Sequence, residues 1–531
     1  MNKIPFAIGQ APGVAIMPPN ADATFTHATG GSSVFAGVVV AKRGKPNTVL
    51  HVTPDTLQKV LGEPIHPHSS EHFEPYRHVY QALNGGNGYV VRIAPSGMKI
   101  PVMKVVSSDK SSPGLGMPSI IATDIDFGEE INMNDESTLF QIYVDDGDAS
   151  KNRTLSLIPN PDSKGMYTLI LKEVDDLGRK KTLDTIQVSF KREARDDMGQ
   201  PAYLPVALEN NTHRLRAIMG SRPNHWLVTG TYHGFEDKEF EGGSDGDIRN
   251  LISADYAPAI RALAASKVNY TAILSLGCYN PATLSELAEL ANDVRVDMFC
   301  DLPPMDNQTK AIETAKAQGF GSYAHVCRYH FPYQSRDPFS GAQVVCGLSG
   351  DAFTAKAKGV AMVSDVGGYH LSPAGQSRGV LLRQNIKPLP AAAEINLEDY
   401  AANGINTVGF ASDGSVMIDD ALTTYAKKNY LRFQHVNSTF NAIARLVYDI
   451  GNALKHEPDG VTRRGLEREI PKLLDRFVAS GALVSPRNAA DGTAPYVVKV
   501  TQNEFDMWHI QYSACPTGVS RRIVAEPVLI P

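Results

Sequence analysis

The sequence predicts a multidomain protein that combines α/β parts with a β-rich part. The chain has 531 residues, which is too long for one ordinary domain. Residues 101–235 contain short alternating segments between turn residues, a pattern typical of a β-sandwich or barrel. Residues 250–380 alternate strand-like and helix-like segments, and that rhythm indicates parallel strand pairing.

The composition excludes several classes of protein. Hydrophobic residues make up 42% and charged residues 20%, as in soluble globular proteins. No apolar run is long enough to cross a bilayer and no signal peptide is recognisable, so we expect a protein made and kept in a cytoplasm, without a membrane partner. The net charge of −6, without a Lys/Arg-rich run, argues against nucleic acid as a partner. The cysteines are widely spaced and fit reduced, buried thiols: Cys278, Cys300, Cys327, Cys346 and Cys515.

The first part of the chain predicts an extended arm followed by a small α/β unit. Residues 1–22 are rich in proline and lack a helical period, which favours an arm that pairs with another sheet edge, with a frayed terminus as the alternative. Residues 34–40 and 89–93 read as strands, and 55–61 and 76–83 as helices.

The β-rich part and the loop that ends it follow. Its predicted strands are residues 139–144, 154–158, 167–174 and 182–190. The loop from Gly242 to Asp247 has the glycines of a phosphate cradle and the carboxylates of a cation loop. It lacks the Gly-Lys-Ser/Thr of a Walker loop and the ligand register of an EF-hand. We therefore interpret it as a tight turn between domains.

The following α/β part offers candidate catalytic and metal-binding residues, but they do not form a recognisable pattern. Its helices are predicted at 256–266, 282–292 and 309–318, and its strands at 270–276 and 296–302. The candidate catalytic residues are Asp301, His330, Ser349, Ser364, Asp365 and His370, and Ser349 lacks the full Gly-x-Ser-x-Gly elbow. The candidate metal ligands are Cys327 with His330, which is half of a zinc pattern, and the group His66, His68, His72 and His78. We predict no catalytic residue, no cofactor and no metal site.

The last part carries the clearest helices and a second arm. Apolar residues from Phe440 to Leu454 form one helical face, and a second helix is expected to begin near Thr462 and to kink or restart at Pro471. The exposed basic face of this helix consists of Arg463, Arg464, Arg468 and Lys472. Residues 496–501 and 507–513 read as a strand pair, and residues beyond 516 form an apolar, strand-prone tail. Two such tails favour strand donation between subunits.

Several motifs, in this order along the chain, resemble those of the tail sheath proteins of contractile bacteriophages. They include the Pro-Gly-Val at 12–14, the Phe-Ala-Gly at 35–37, the Asn-Gly-Gly at 84–86, the Gly-Gly-Ser-Asp-Gly at 242–246, the Pro-Ala-Gly at 373–375, the Gly-Ile-Asn at 404–406 and the Gly-Ala-Leu at 481–483. The resemblance runs nearly from end to end. The family's aromatic-arginine segment is matched only loosely, at residues 430–433.

The resemblance implies an architecture in which an α+β core domain is built from both chain ends. A β-sandwich or barrel-like domain and a subtilisin-like α/β domain would be inserted into it. The implied ranges are an N-terminal arm (1–22), the core (23–100 and 381–515), the β-rich outer domain (101–238), the subtilisin-like domain (239–380) and a C-terminal arm (516–531).

The resemblance also implies a structural and non-enzymatic role. Subunits would stack as hexameric rings around a tail tube, contract, and drive the tube through the host envelope for genome ejection. The implied partners are other copies of the chain, the tube protein, and baseplate and terminator proteins, in a virion tail assembled in the bacterial cytoplasm. The arms would pair through Val14, Ala15, Ile16, Ile523, Val524, Val528 and Leu529, and Arg463, Arg464 and Lys472 would face the tube. A subtilisin-like hydrolase with a β-rich accessory domain is the alternative.

Overall fold

The structure is a computed structural model that describes residues 33–107, 118–129, 137–148, 152–174, 178–220, 227, 232–488, 490 and 492–521. Within these residues the protein is a mixed α/β protein with several sheets. None of the helices described there is both long and apolar enough to span a membrane.

The described strands and helices alternate along most of the chain. The strands are β1 (Phe35–Val39), β2 (Val49–Val52), β3 (Gly88–Arg92), β4 (Met98–Ser107), β5 (Pro118–Asp126), β6 (Thr138–Val144), β7 (Arg153–Pro159), β8 (Met166–Val174), β9 (Lys180–Ser189), β10 (Leu215–Met219), β11 (Phe235–Glu239), β12 (Ser244–Asp245), β13 (Ala272–Leu274), β14 (Asp297–Asp301), β15 (Val326–Tyr329), β16 (Tyr333–Arg336), β17 (Gln343–Val345), β18 (Gln384–Pro388), β19 (Ile405–Asn406), β20 (Val408–Phe410), β21 (Val416–Ile418), β22 (Tyr496–Glu504) and β23 (Met507–Ala514). The α-helices are α1 (Leu57–Leu61), α2 (Glu74–Ala82), α3 (Leu204–Asn211), α4 (Ser253–Ala265), α5 (Pro281–Val294), α6 (Gln308–Ala317), α7 (Ser349–Ala361), α8 (Leu397–Ala402), α9 (Gln434–Leu454) and α10 (Asp459–Ala479).

A seven-stranded sheet with the order β19-β15-β14-β13-β1-β3-β2 lies at the centre of the α/β part. Its neighbouring strands are parallel except β2, which runs antiparallel to β3. Phe35 and Val39 pack with α2 and α7 on one face, while Ala36 and Val38 pack with α4 and α5 on the other. Because both faces are covered, β1 is apolar at every position, as buried parallel strands are.

This sheet joins strands that the sequence analysis assigns to two different domains. Phe35 of β1 pairs with Ala272 of β13, so strands of the first α/β unit and of the later one belong to the same sheet. The reason is physical: an apolar strand such as β1 needs a neighbour along each edge and helices over each face. The central sheet therefore contains strands from the ranges 23–100 and 239–380, and the six ranges remain a prediction.

The β-rich part consists of two antiparallel sheets around one apolar core. The first has the order β10-β6-β4-β12, with β5 also paired to β4, and the second has the order β11-β7-β8-β9. Phe140 of the first sheet and Tyr167 of the second both lie close to Phe190 and Tyr232. The predicted β-rich character is confirmed, and the two sheets sharing a core correspond to layers packed face to face.

Helices α9 and α10 pack against each other and against the β22–β23 hairpin. Helix α10 differs from the prediction at both its start and its centre. It begins at Asp459, so Thr462 lies inside the helix, and it continues through Pro471 without interruption. Burial of Ile470, Leu473 and Leu474 beside the proline offsets the lost backbone hydrogen bond.

Candidate functional sites: assembly surfaces and a buried polar cluster

The residues predicted to form the exchanged strands lie outside the described residues. These are Val14, Ala15, Ile16, Ile523, Val524, Val528 and Leu529. The last described residue, Arg521, donates a hydrogen bond from Nε to Asp420 at 2.8 Å and lies over the ring of Phe433. The point from which the C-terminal tail continues is therefore fixed beside the start of α9.

The β22–β23 hairpin is the described element best suited to receive an additional strand. Its strands pair with each other, and within the described residues neither has a second neighbour. One face packs on the α9–α10 core through Val498, Val500 and Ile510, among others. An isolated hairpin is marginally stable in water, so two open edges on a supported sheet favour strand addition.

The hairpin also exposes apolar side chains on its outer surface. Val497 is 60% exposed and Phe505, at the hairpin turn, is 92% exposed. Exposed apolar residues next to unpaired strand edges are typical of surfaces that another chain covers.

The predicted tube-facing residues are exposed on α10, and acidic neighbours partly neutralise them. Arg463 pairs with Glu467 at 2.9 Å, Lys472 lies 3.8 Å from Glu469, and Arg464 donates to the carbonyl of Gly460. Exposed pairs of this kind contribute little to stability, so these side chains can exchange their partners at small cost.

The loop from Gly242 to Asp247 is part of the junction between the two sheet systems. Ser244 and Asp245 form β12 and pair with the start of β4, while Gly246 adopts a φ of 78° where a Cβ atom would clash with the 95–98 backbone. Asp245 accepts a hydrogen bond at 2.9 Å from Arg92, which ends β3 and is buried. The loop therefore ties the central sheet to the β-rich sheets, as its interpretation as a structural turn requires.

Ser349 and Asp301, two of the candidate catalytic residues, lie together. The histidine beside them is His78, which the sequence grouped with the candidate metal ligands. Ser349 Oγ is 3.1 Å from Nδ1 of His78, and Asp301 accepts hydrogen bonds from the backbone amides of Leu348 and Ser349. Nε2 of His78 faces Glu74 at 3.5 Å, Cys346 at 3.7 Å and Asp301 at 3.9 Å. We call Glu74, His78, Asp301, Cys346 and Ser349 the buried polar cluster.

The buried polar cluster lacks the access that hydrolysis requires. Both Ser349 and His78 have 0% of their surface exposed. The serine also meets Nδ1 of the histidine while the carboxylates face Nε2, the reverse of the arrangement in serine proteases. Burial raises the pKa of the Asp301 carboxyl, although His78 and the amide donors oppose that effect.

The remaining candidates are dispersed. Burial lowers the pKa of His330 to about 4, and its Nδ1 lies 2.7 Å from the hydroxyl of Tyr400. Burial also lowers the pKa of His370 to about 4. Asp365 is on the surface, where it pairs with Arg476. Histidines with such low pKa values are poor general bases at neutral pH.

The candidate metal ligands from the sequence are not the set of side chains that the structure brings together. His66 and His68 are exposed, with rings that are tilted and 5.3 Å apart, whereas His78 lies in the buried polar cluster. Among the described residues, the set whose donor atoms are close enough to hold an ion is Glu74, His78 and Cys346. The sequence analysis missed this set because Cys346 is 268 residues away from His78.

Comparison with known proteins identifies the fold. No protein-family model matches the chain, and no curated protein matches it in sequence. The sheath tail protein of Desulfitobacterium hafniense superposes with a TM-score of 0.50 and 13% identity over 91% of this chain and 97% of that chain. The sheath tail protein of Listeria innocua gives a TM-score of 0.50 and 12% identity over 92% and 96%.

The protein thus has the fold of sheath tail proteins, and the resemblance carried by the ordered motifs is confirmed at the level of the fold. Both superpositions extend over more than nine-tenths of each chain, so the likeness includes the β-rich and the α/β parts together.

Proposed function

We propose that this chain is the sheath subunit of a contractile, phage-tail-like assembly. The observation that carries the proposal is the fold shared with two sheath tail proteins over nearly the whole chain. Subunits stack as hexameric rings around a tail tube, and shortening of the sheath drives the tube through the host envelope for genome ejection. The partners are other copies of the chain, the tube, and the baseplate and terminator proteins, in a tail assembled in the bacterial cytoplasm.

The described surfaces support strand exchange as the link between subunits. The hairpin β22–β23 offers open edges, and the terminal tails have the apolar, proline-punctuated composition of donated strands. Main-chain hydrogen bonds in such an added strand tolerate rotation of the domains on either side. Whole domains then rotate as rigid bodies about the donated strands, while side-chain contacts between outer surfaces exchange.

We further propose that the chain is not an enzyme. The energy for shortening comes from the difference between two packings of the same subunits, multiplied over a long assembly, and needs no nucleotide or other cofactor. Arg463, Arg464 and Lys472 contact the tube in the extended state, where exposed charge contacts can be released at low cost.

Electron microscopy of the full-length protein, alone and with its tube protein, tests the proposal. Hollow striated tubes are the expected result. Subunits that stay monomeric under all conditions, including with the tube protein, would contradict a sheath role.

A serine-directed probe tests the hydrolase alternative on the same preparation. Labelling of Ser349 or Ser364 would favour hydrolysis. We expect no labelling of Ser349, because its hydroxyl is buried against His78.

A further inference from the structure

Three side chains of the buried polar cluster converge as metal ligands would. Nε2 of His78 lies 3.5 Å from Glu74 Oε2 and 3.7 Å from Cys346 Sγ, and the donor atoms of all three lie within 4.8 Å of one another. In a tetrahedral zinc site with bonds of about 2.0–2.3 Å, neighbouring donor atoms are roughly 3.3–3.8 Å apart. We propose that Glu74, His78 and Cys346 bind a zinc ion.

The ligand chemistry selects zinc over the hard cations. A thiolate, an imidazole and a carboxylate together suit a borderline-soft ion, whereas magnesium and calcium prefer sites made only of oxygen. Three protein ligands leave a fourth position. Another carboxylate lies nearby, that of Asp301, whose Oδ2 is 3.9 Å from Nε2 of His78.

The ligands are held by regular structure. Glu74 and His78 are four residues apart on α2, so both project from the same face of the helix. Cys346 lies just before α7, and α2 and α7 pack against each other. A zinc ion at this position would connect two helices on one face of the central sheet.

Outer hydrogen bonds orient the ligands for metal binding. Nδ1 of His78 is 3.1 Å from the hydroxyl of Ser349, so a proton on Nδ1 leaves the lone pair of Nε2 directed at the other two ligands. The hydroxyl of Tyr279 donates to Glu74 Oε2 at 2.7 Å, and the amide of Gly347 donates to the same oxygen at 3.2 Å. Such supporting contacts are typical of metal sites.

The charge of the cluster also favours a cation. Two carboxylates, Glu74 and Asp301, lie near His78 with a thiol in a region shielded from water, where negative charge is costly without the positive partner that either a protonated His78 or a bound cation supplies. The nearby Arg383 forms its own ion pair with Asp351 at 2.6 Å. This inference does not rest on the sheath role, because it concerns the interior of one subunit.

Elemental analysis by mass spectrometry of the full-length protein, purified under reducing conditions from zinc-supplemented cultures, tests the proposal. We expect about one zinc per chain that resists brief dialysis against a weak chelator. Replacement by cobalt(II) should give a thiolate-to-metal charge-transfer band in the near ultraviolet. Folded protein with less than about 0.1 zinc per chain and no such band would overturn the proposal.

Variants with matched controls locate the metal. Cys346→Ser and Glu74→Gln should each lower zinc content at least tenfold, roughly the effect of losing a ligand. Cys515→Ser and Glu394→Gln change the same residue types outside the site and should retain the zinc. Zinc retained by both ligand variants would overturn the proposal. If the ligand variants fail to fold, the zinc content and cobalt spectrum of the unaltered protein decide alone.

Discussion

Arg92 places a positive charge in the interior, where the sheets of the α/β part meet those of the β-rich part. Its guanidinium donates to Asp245 at 2.9 Å and to the carbonyls of Gly44 and Gly147. Close by, Arg153 forms a two-pronged pair with Asp146 at 2.9 and 2.8 Å. Removing one partner from such a pair lowers the stability by more than the intact pair contributes, because the other charge stays buried without a partner.

We therefore expect Asp245→Ala to destabilise the folded subunit. The free energy of unfolding should fall by about 2 kcal/mol, less than for a fully buried pair, because the Asp245 side chain is 37% exposed. Asp247→Ala is the control in the same loop: that carboxylate is exposed and accepts from the amide of Arg249. It should cost less than about 1 kcal/mol. Urea denaturation measures both, and equal losses would contradict a specific role for the Arg92 pair.

Buried histidines make stability depend on pH. Burial, assisted by the charge of Arg295, lowers the pKa of His325 to about 3, and burial lowers that of His435 to about 3. Unfolded histidines bind a proton near pH 6.5, so acid favours the unfolded state. The stabilisation from the neutral side chains is complete above about pH 6.5 and is lost as the pH falls toward 3.

Each such histidine should contribute a slope of about 1.4 kcal/mol per pH unit between pH 6 and 4. His325→Asn should reduce the slope of unfolding free energy against pH by about 1.4 kcal/mol per pH unit, whatever its effect on stability at neutral pH. His66→Asn is the control, because His66 is exposed. Denaturant midpoints measured at several pH values give the slope, and an unchanged slope in His325→Asn would be inconsistent with a neutral buried imidazole.

The contacts between individual site residues were the feature least predictable from the sequence. Asp245 and Arg92 are 153 positions apart, and Ser349 and His78 are 271 apart. The sequence offered His330 and His370 beside Ser349 as candidate catalytic residues, whereas His78 stood with the candidate metal ligands. Pairing between distant segments is decided by the packing of α2 on α7, which leaves no local pattern in the chain.

At the scale of elements, local periodicity was a good guide. The apolar run at 34–40 predicted β1, and the three-four spacing from Phe440 to Leu454 predicted the apolar face of α9. Boundaries failed where tertiary contacts outweigh propensity, as at Pro471 inside α10. One of the two partners of β1 could not be predicted, since β13 lies more than two hundred residues later in the chain.

If the N-terminal arm is donated as a strand, the effect of substitutions in it should alternate from one residue to the next. In a strand, Val14 and Ile16 lie on one face and Ala15 on the other. Val14→Asp with Ile16→Asp should abolish tube formation and leave the melting temperature of the free subunit unchanged, because the arm's partner is another chain. Ala15→Asp, on the opposite face, should still assemble. Light scattering and negative-stain microscopy report assembly, and normal tubes from the double variant would refute strand donation.

The basic face of α10 yields a second prediction for an element. Charge reversal at Arg463, Arg464 and Lys472 should weaken co-assembly with the tube protein at least tenfold and remove most of its dependence on salt. Lys427→Glu with Lys428→Glu is the control for added negative charge, because both lysines are exposed elsewhere. Sedimentation of labelled tubes with the subunit measures the effect. Equal weakening by the control would point to net charge instead of a contact surface.

At the scale of the whole molecule, the central sheet and the β22–β23 sheet differ in how much of each is covered by other elements. The central sheet is covered by helices on both faces, whereas the β22–β23 sheet is covered on one face and open at its described edges. Local opening is easiest where backbone hydrogen bonds are few and exposed. The hairpin should therefore be the least protected sheet of the free subunit, and the one that assembly changes most.

Hydrogen exchange followed by mass spectrometry tests this difference. Upon assembly, amides of residues 496–514 should exchange at least tenfold more slowly, because an added strand satisfies the edge groups. Peptides from β1 and β14 should change little, since their hydrogen bonds are already formed within the subunit. After shortening of the sheath, the hairpin should keep its protection while the outer β-rich part changes. Loss of hairpin protection during shortening would show that the donated strands detach, and would contradict their role as hinges.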